Sequence, residues 1–223
     1  MSVNIAIDGP SGAGKSSAAK AVAKKLGYLY IDTGALYRAV GLFCLRAGLT
    51  DLTDPAAVSA LLPEINVELT YREGEQRVLL NGEDVSQMIR TQQVAKAASD
   101  VSAHPPVRAF LLELQRKIAR ENDVLMDGRD IGTVILPDAD VKFFLTASSA
   151  ARARRRTDEL IGKGQQADYE TVLREIEERD RNDSTRKTAP LKAAVDAILV
   201  DNSDMTAEET AQFLCARIKE KIG

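Results

Sequence analysis

The sequence predicts an α/β fold with a five-stranded parallel sheet flanked by helices. Apolar runs with strand character alternate along the chain with stretches of helical periodicity, which is typical of a parallel sheet covered on both faces. The strand-like runs lie at 3–8, 28–31, 124–127, 141–145 and 197–201. The helical stretches lie at 15–26, 34–47, 91–102, 106–121, 148–162, 168–182 and 206–221. With 223 residues, 44% of them hydrophobic, the chain is long enough to bury a sizeable core.

A loop with a phosphate-binding pattern follows the first strand-like run directly. Residues 9–16 read GPSGAGKS and match G-x-x-x-x-G-K-[ST] at every fixed position. In such a loop the glycines allow a tight turn whose N–H groups point at phosphate oxygens, while the lysine neutralises the outer phosphates. The helical stretch that begins at Lys15 places the bound phosphates at a helix N-terminus. A glycine turn without a ligand gives no reason for Lys15 and Ser16, so we expect a nucleoside triphosphate, with magnesium ligated by Ser16.

One region interrupts the alternation of strands and helices. The segments 65–71 and 77–80 flank the turn-forming residues 72–75, and Asn81 with Gly82 offers a second tight turn. This pattern predicts a small antiparallel hairpin system inserted between the second and third core strands. The pattern fits a structural flap and a substrate-gripping module equally well.

Composition narrows the classes of partner and chemistry. The net charge of −3 argues against bulk affinity for nucleic acid or an anionic membrane. The chain opens with no secretory signal and has no apolar run of bilayer length, and Cys44 and Cys215 lie in separate apolar stretches, so we expect two buried thiols in a cytoplasmic protein. The single histidine, His104, precedes two prolines and is expected in a loop. With no nucleophilic triad and no Cys/His cluster, the sequence disfavours covalent and zinc chemistry.

Charged residues gather where the predicted strands end. Residues 32–34 follow the second strand, Arg38 lies one helical turn further, and residues 127–130 (DGRD) close the third strand. Ligands of open parallel sheets bind at the carboxyl ends of the strands, where the Arg38 guanidinium could clamp a second phosphate. Many arginines with few nucleophiles favour phosphoryl transfer, which depends mainly on positioning and charge neutralisation.

An arginine-rich segment begins the helical stretch at 148–162. Helical spacing puts Arg152, Arg155 and Arg156 on roughly one side and turns Arg154 away. These side chains could neutralise a polyphosphate or form a solvated basic face.

A further charged cluster lies near the end of the stretch at 168–182. Arg179, Asp183 and Arg186 would share one helical face if the helix persisted to Arg186. A carboxylate beside two guanidiniums stays ionised and accepts hydrogen bonds, which suits a sugar hydroxyl. A surface ladder of salt bridges is the alternative.

Four segments resemble the bacterial cytidylate kinase family: 7–15 (IDGPSGAGK), 32–38 (DTGALYR), 127–133 (DGRDIGT) and 178–180 (ERD). The resemblance covers nearly the whole chain, and the hairpin insertion near 63–90 is similar to the enlarged nucleoside-monophosphate-binding region of that family. It implies one P-loop kinase domain over residues 1–223, with a lid at about 152–165. It also implies transfer of the γ-phosphate of ATP to CMP or dCMP.

The resemblance implies roles for individual residues. The acceptor phosphate would be held by Thr33, Arg38 and Arg129. The cytosine would be surrounded by Ser99, Arg108, Asp130 and Arg186, and the sugar would be reached by Arg179 and Asp183. ATP would be bound by Gly9, Pro10, Ser11, Gly12, Ala13, Gly14, Lys15, Ser16 and Ser17. Catalysis would involve Lys15, Arg129, Asp130 and the lid arginines Arg154 and Arg156, with Mg²⁺ bound together with ATP.

Two other functions fit parts of the sequence. A P-loop kinase of another small acceptor, such as UMP, shikimate or dephospho-coenzyme A, would share the loop but would not explain the hairpin insertion together with Asp-Gly-Arg-Asp. A nucleotide-dependent switch would need a motif that reads guanine, and no Asn-Lys-x-Asp sequence follows the fourth strand. We therefore expect ATP and CMP or dCMP as partners of a monomer that binds neither nucleic acid nor membrane.

Overall fold

The computed structural model of the protein describes residues 2–223, and strands alternate with helices along most of the chain. The strands are β1 (Asn4–Asp8), β2 (Leu29–Asp32), β3 (Val67–Arg72), β4 (Glu75–Leu80), β5 (Glu83–Asp84), β6 (Val124–Gly128), β7 (Val141–Thr146) and β8 (Ile198–Asp201). The helices are α1 (Lys15–Leu26), α2 (Thr33–Arg46), α3 (Pro55–Leu61), α4 (Gln92–Val101), α5 (Pro105–Glu121), α6 (Ser149–Gly162), α7 (Tyr169–Thr185) and α8 (Ala207–Ile222). Short 3₁₀ turns lie at Leu62–Glu64 and Met88–Arg90, and a π-helical turn lies at Ile131–Ile135.

Five strands form a parallel sheet with the order β2-β6-β1-β7-β8. The first strand of the chain is central, because Ile7 lies opposite Asp127 of β6 on one side and Phe143 of β7 on the other. Ile5, Ala6 and Ile7 in the middle of β1 are completely buried, as expected for a central parallel strand. This order predicts that ligands bind beyond the carboxyl end of β1, where the phosphate loop begins.

The chain forms two compact units. The first, called the core unit, comprises residues up to Tyr30 together with Glu121–Gly223, and the second, called the inserted unit, is Ile31–Arg120. Each has its own apolar core. The core of the first includes Ile5, Ile7, Val22, Phe143 and Leu214, and that of the second includes Leu36, Val58, Val78 and Leu111.

The predicted fold class is confirmed, as are the five core strands and the seven predicted helices. Their ends agree within one residue, except that α7 continues to Thr185. The hairpin is also confirmed: β3 and β4 are antiparallel, and β5 adds a short third strand after Asn81 and Gly82. Glu73 and Gly74 form the two-residue turn, both with positive φ, 55° and 79°. The predicted insertion at 63–90 falls within the inserted unit.

Both cysteines and the histidine are buried. Cys44 and Cys215 are free thiols, as expected. His104 lies in the loop before α5, and its Nε2 is 2.8 Å from the Leu52 carbonyl oxygen, so it has a structural role. No helix within residues 2–223 is both long enough and apolar enough to cross a membrane.

Candidate active site

The phosphate loop connects β1 to α1 in the core unit. A Cβ at Gly9 would lie 1.9 Å from the carbonyl oxygen of Leu145, so only glycine fits where the loop passes this backbone. Gly14 is the N-cap residue of α1, with φ 79°, and offers no capping side chain. The first N–H groups of α1, at Lys15 to Ser17, therefore lie at an N-terminus suited to an anion.

Lys15 is buried beside this loop. Its Nζ donates a hydrogen bond of 2.7 Å to the carbonyl oxygen of Pro10. Burial, and after it the charge of Arg129, lowers the pKa of the Lys15 ammonium to about 7, although Asp127 and Asp8 act in the opposite direction. A polyphosphate at the loop would favour the charged form of Lys15, since it supplies the negative charge that burial requires.

Ser16 meets a carboxylate that sequence reasoning left without a role. Its Oγ donates to Oδ2 of Asp127 at 2.7 Å, and the hydroxyl of Tyr30 donates to Oδ1 at 3.3 Å. A hydroxyl and a carboxylate from the ends of adjacent elements are oxygen ligands of the kind that Mg²⁺ prefers. The sequence signal for Asp127 was a carboxylate near the end of an apolar strand. In the structure Asp127 lies opposite Ile7, and Ile7 lies two residues before the loop.

Four of the residues predicted to bind the acceptor nucleotide lie together in the core unit: Arg129, Asp130, Asp183 and Arg186. Nε of Arg129 donates to Oδ2 of Asp183 at 2.8 Å. Arg186 lies between two carboxylates, 3.8 Å from Asp183 and 3.9 Å from Asp130. Burial alone would raise the pKa of Asp183, but the guanidiniums of Arg129, Arg179 and Arg186 hold it below its usual range. The cluster therefore offers the ionised Asp183 as an acceptor and guanidinium groups as donors in a largely buried place.

The sequence places Arg186 on the face of α7 on the condition that the helix persists to Arg186, and this condition is not met. The helix ends at Thr185, and Arg186 is extended, with φ −60° and ψ 141°. Nε of Arg186 donates to the carbonyl oxygen of Ala189 at 2.7 Å, which helps to hold the guanidinium in place. Arg186 is nevertheless the C-cap residue: its N–H donates to the Asn182 carbonyl oxygen at 3.2 Å, and its contact with Asp183 keeps the helical spacing of three residues.

Arg152 is the arginine of α6 that contacts the phosphate loop. It is buried, and its Nη1 donates to the carbonyl oxygen of Ser11 at 3.0 Å. The same guanidinium makes two hydrogen bonds to Asp180 of α7, at 3.0 and 2.6 Å. Of the lid arginines implied by the resemblance, Arg154 is exposed and Arg156 pairs with Glu159 on the same helix at 2.9 Å.

Asn202 holds the loop from the other side. Its Nδ2 donates to the carbonyl oxygen of Ala13 at 2.9 Å. Arg155 of α6 donates to the backbone carbonyl of Asn202 at 2.6 Å. Sequence reasoning missed Asn202 as a support of the loop, because its contact joins positions 189 residues apart.

In the inserted unit, Asp32 organises the start of α2, where Thr33 is the buried first residue. Oδ2 of Asp32 lies 3.1 Å from Arg90 and 3.8 Å from Arg38. Gln76 of β4 brackets Asp32, since its Oε1 accepts from the Asp32 N–H at 2.9 Å and its Nε2 donates to the carbonyl at 3.3 Å. The hairpin therefore braces the turn that presents Thr33 and Arg38.

Arg108 and Ser99 also lie in the inserted unit. The Arg108 guanidinium lies 5.4 Å from the centre of the Tyr37 ring, and its Nη1 donates to the carbonyl of Ser102 at 3.1 Å. Ser99 is half-buried in α4 and its carbonyl accepts from the Ser102 hydroxyl at 2.9 Å. These contacts fix the Arg108 guanidinium, whereas the hydroxyl that they hold is that of Ser102 and not that of Ser99.

The fold and the loop define a phosphate-loop α/β protein that holds a polyphosphate-binding helix N-terminus beside clustered guanidinium groups. A family model described as cytidylate kinase matches residues 5–220. The chain therefore belongs to the cytidylate kinase family.

Individual relatives agree with this assignment. The chain is 48% identical over 221 residues to a cytidylate kinase of Geobacter sp. (strain M21), covering 99% of this chain and 94% of that protein. It is 51% identical over 216 residues to a cytidylate kinase of Pelotomaculum thermopropionicum, covering 96% and 95%. A solved structure of an uncharacterized protein from Eubacterium ventriosum shares the fold, with a TM-score of 0.52, 13% identity and 99% of each chain covered.

Proposed function

We propose that the chain transfers the γ-phosphate of ATP to the phosphate of CMP or dCMP, which yields CDP or dCDP and ADP. Membership of the cytidylate kinase family supports this reaction. The observation that carries it is the buried cluster of Arg129, Asp130, Asp183 and Arg186, which lies in the same unit as the phosphate loop. A cytosine nucleotide needs hydrogen-bond acceptors for its amine and sugar hydroxyls and donors for its O2 and N3, and the carboxylates and guanidinium groups of this cluster can supply both.

The ATP side of the reaction is assigned to the phosphate loop. Backbone N–H groups from Gly9 to Ser17 would hold the phosphate oxygens, and Lys15 would neutralise the outer phosphates. Ser16 and Asp127 would hold magnesium, which when bound with ATP neutralises charge on the phosphates. Arg152 supports the loop through its hydrogen bond to Ser11. Its guanidinium would therefore lie near the phosphates, in addition to those of the lid candidates Arg154 and Arg156.

The acceptor phosphate is assigned to Thr33, Arg38 and Arg129. A hydroxyl and two guanidiniums can orient a phosphate monoester for in-line attack. The attacking oxygen belongs to a phosphate that is already anionic near neutral pH, so the transfer needs no strong general base. This agrees with the structural position of His104 against the Leu52 carbonyl.

The base and sugar are assigned to residues with matching donors and acceptors. The exocyclic amine of cytosine would donate to Asp130 or Ser99, while its O2 and N3 would accept from Arg108 and Arg186. Uracil reverses the pattern at two of these edges. The sugar hydroxyls would meet Asp183 and Arg179, and the lowered pKa of Asp183 keeps it an acceptor near neutral pH.

We also propose that the chain acts as a cytoplasmic monomer with no nucleic-acid or membrane partner. A modest net negative charge and two free buried thiols support this. Within one P-loop kinase domain, residues 63–90 would bind the monophosphate and residues about 152–165 would form the lid. Sedimentation at working concentration tests the monomer.

A coupled assay of ADP formation from Mg-ATP tests the reaction. CMP, dCMP, UMP, AMP, GMP, shikimate and dephospho-coenzyme A are each offered separately, with a reaction lacking acceptor as the control. We expect the highest kcat/KM with CMP and dCMP. Preference for another acceptor would contradict the base contacts, and hydrolysis that needs no acceptor would contradict the kinase activity.

Asp130→Asn tests the base contacts. The amide keeps the shape of the carboxylate but replaces one acceptor with a donor, so kcat/KM for CMP should fall about tenfold or more while ATP affinity changes little. The ratio of kcat/KM for CMP to that for UMP should fall, because the new NH₂ group can donate to uracil, which has an oxygen where cytosine has its amine. Asp138→Asn, at an exposed position, is the control. Equal losses for CMP and ATP would refute the assignment.

A further inference from the structure

The π-helical turn that follows Asp130 is capped by a residue from a different strand. The first N–H groups of a helical segment have no partner within the segment. Here Asp8, the last residue of β1, accepts from the Ile131 N–H through Oδ1 at 2.7 Å and from the Gly132 N–H through Oδ2 at 2.8 Å. Each carboxylate oxygen thus holds one backbone donor.

This arrangement changes what Asp130 does. Asp130 is the N-cap residue of the turn, and an aspartate there ordinarily accepts from one of the first N–H groups. Its side chain makes no such capping bond here. With the Gly132 donor held by Asp8, the Asp130 carboxylate lies instead 3.9 Å from the Arg186 guanidinium.

The turn also packs closely against a second side chain. A Cβ at Gly132 would lie 3.1 Å from Cδ of Lys142 and 3.5 Å from Oδ2 of Asp8, so the backbone of the turn lies close to both side chains. Lys142 is fixed by its ion pair with Asp196 at 2.8 Å and by a hydrogen bond to the carbonyl oxygen of Pro137. The turn therefore has little freedom to move relative to β1.

The buried environment of Asp8 disfavours a charged side chain, so the presence of a carboxylate there indicates that it has a function. Asp8 is 3% exposed. Burial raises the pKa of Asp8 to about 6, against the lowering effect of the two N–H groups; Asp130 adds to the rise and Lys15 opposes it. The ionised form that accepts both N–H groups thus persists near neutral pH at a cost in free energy.

We propose that Asp8 is a positioning residue for the pyrimidine nucleotide: it caps the turn at Ile131 and Gly132 in place of Asp130, and so directs the Asp130 carboxylate toward the base. The inference rests on the proposed function, in which Asp130 contacts cytosine. It gives the aspartate before the phosphate loop a role on the acceptor side of the reaction.

Asp8→Asn is the first test. Asparagine keeps the shape but presents one oxygen and one NH₂ group, so one backbone N–H faces a donor and Asp130 becomes the better cap. We expect the KM for CMP to rise about tenfold, with a clearly smaller loss of ATP affinity, which arises because Asp8 also favours the charged form of Lys15. Asp140→Asn is the matched control, because Asp140 also accepts a strand N–H, from Asn4 at 2.7 Å, at the other end of β1.

A double-mutant cycle separates positioning from general stability. Because Asp8 acts through Asp130, Asp8→Asn should raise the KM for CMP by less than about twofold when Asp130→Asn is already present. The same fold increase in both backgrounds would overturn the proposal. A loss of ATP affinity as large as the loss of CMP binding would also overturn it.

Amide hydrogen exchange gives a readout without turnover. In the Asp8→Asn protein, exchange at Ile131 and Gly132 should speed up about tenfold or more, while the amides of β1 and β6 keep their protection. Unchanged exchange at those two amides would refute the cap. If the wild type does not phosphorylate CMP, the proposed function fails, and the exchange result still decides whether Asp8 caps the turn.

A second variant changes the turn and leaves the Asp8 side chain in place. In Gly132→Ala the added methyl group lies 3.1 Å from Cδ of Lys142 and 3.5 Å from Oδ2 of Asp8, so it should displace the turn and weaken its bonds to Asp8. We expect the same signature, a higher KM for CMP with a clearly smaller loss of ATP affinity, even if the Asp8 variant fails to fold. A folded Gly132→Ala protein with normal CMP kinetics would contradict the requirement for a fixed turn.

Discussion

Single residues in the core unit keep charges where water is scarce. Asp183 is 6% exposed, yet its pKa is held below its usual range because Arg129, Arg179 and Arg186 outweigh the effect of burial. Buried charges of this kind contribute little net stability as a set, but removal of one member leaves its partners uncompensated. The cluster is therefore sensitive to any change of a single charge.

Asp183→Asn should lower the free energy of unfolding at pH 7 by about 3 kcal/mol, since it leaves Arg129 without its carboxylate partner. A depressed folded pKa stabilises the protein above the ordinary value of 3.8 and ceases to do so as the pH falls through the folded value. The wild type should thus lose more stability than the variant between pH 4 and pH 3. Urea denaturation at several pH values measures this.

Asp138→Asn serves as the exposed control for that experiment. The control should follow the wild type at each pH. Parallel stability curves for wild type and Asp183→Asn would show that the buried pairing does not contribute as argued.

The sequence identifies some site residues and not others for a physical reason. Lys15 and Arg129 lie in short patterns whose chemistry is local. Asp8 and Asn202 act through backbone groups more than a hundred positions away, at Ile131 and Ala13. A linear pattern carries no signal for such pairs, because they exist only once the sheet has brought the segments together.

At the scale of elements, the phosphate loop depends on close backbone contact. Gly9 has φ 148°, and its Cα faces the Leu145 carbonyl of β7. Gly27 also has a positive φ, 74°, at the C-cap of α1, but no atom of the described chain lies within 4 Å of where its Cβ would be. Gly9 is therefore required because a side chain would overlap the Leu145 carbonyl, whereas Gly27 is favoured only because its backbone is left-handed.

Gly9→Ala should destabilise the protein by about 3 kcal/mol or more, because the methyl group would overlap a fixed backbone oxygen. Gly27→Ala should cost only about 1 kcal/mol, the penalty of a left-handed backbone alone. Thermal unfolding of both variants without nucleotide measures the difference. Similar costs at the two positions would refute the contact with Leu145.

Elements with clear boundary signals could be predicted, and shorter ones could not. α1 begins after the phosphate loop and ends at Gly27, so both of its ends are written in the sequence. α3 spans only Pro55–Leu61, too short for periodicity to show. The turn at Ile131–Ile135 depends on Asp8, from another strand, for its cap, so nothing within the segment predicts it.

At the scale of the whole molecule, the proposed ATP contacts all lie in the core unit. The topology explains why the alternation of strands and helices predicted the fold class but not the strand order. Alternation indicates a parallel sheet, while the order depends on packing between segments far apart in sequence.

ATP alone should therefore protect amides of the core unit, chiefly the phosphate loop and the start of α1, and CMP should add protection around Thr33 and Arg38. At a hundred times its dissociation constant, either ligand should raise the free energy of unfolding by about 2.7 kcal/mol. Hydrogen exchange and urea denaturation measure the two effects. Protection by ATP confined to the inserted unit would contradict the assignment of the phosphate loop.

The central place of β1 also sets the order in which the chain can fold as it leaves the ribosome. β1 is made first, but its partners begin only at Val124 and Val141. At roughly 10 residues per second, it waits on the order of ten seconds for them. The inserted unit is fully synthesised during that wait. Ile5, Ala6 and Ile7, completely buried in the finished protein, are thus an apolar segment that nascent-chain chaperones could bind during that wait.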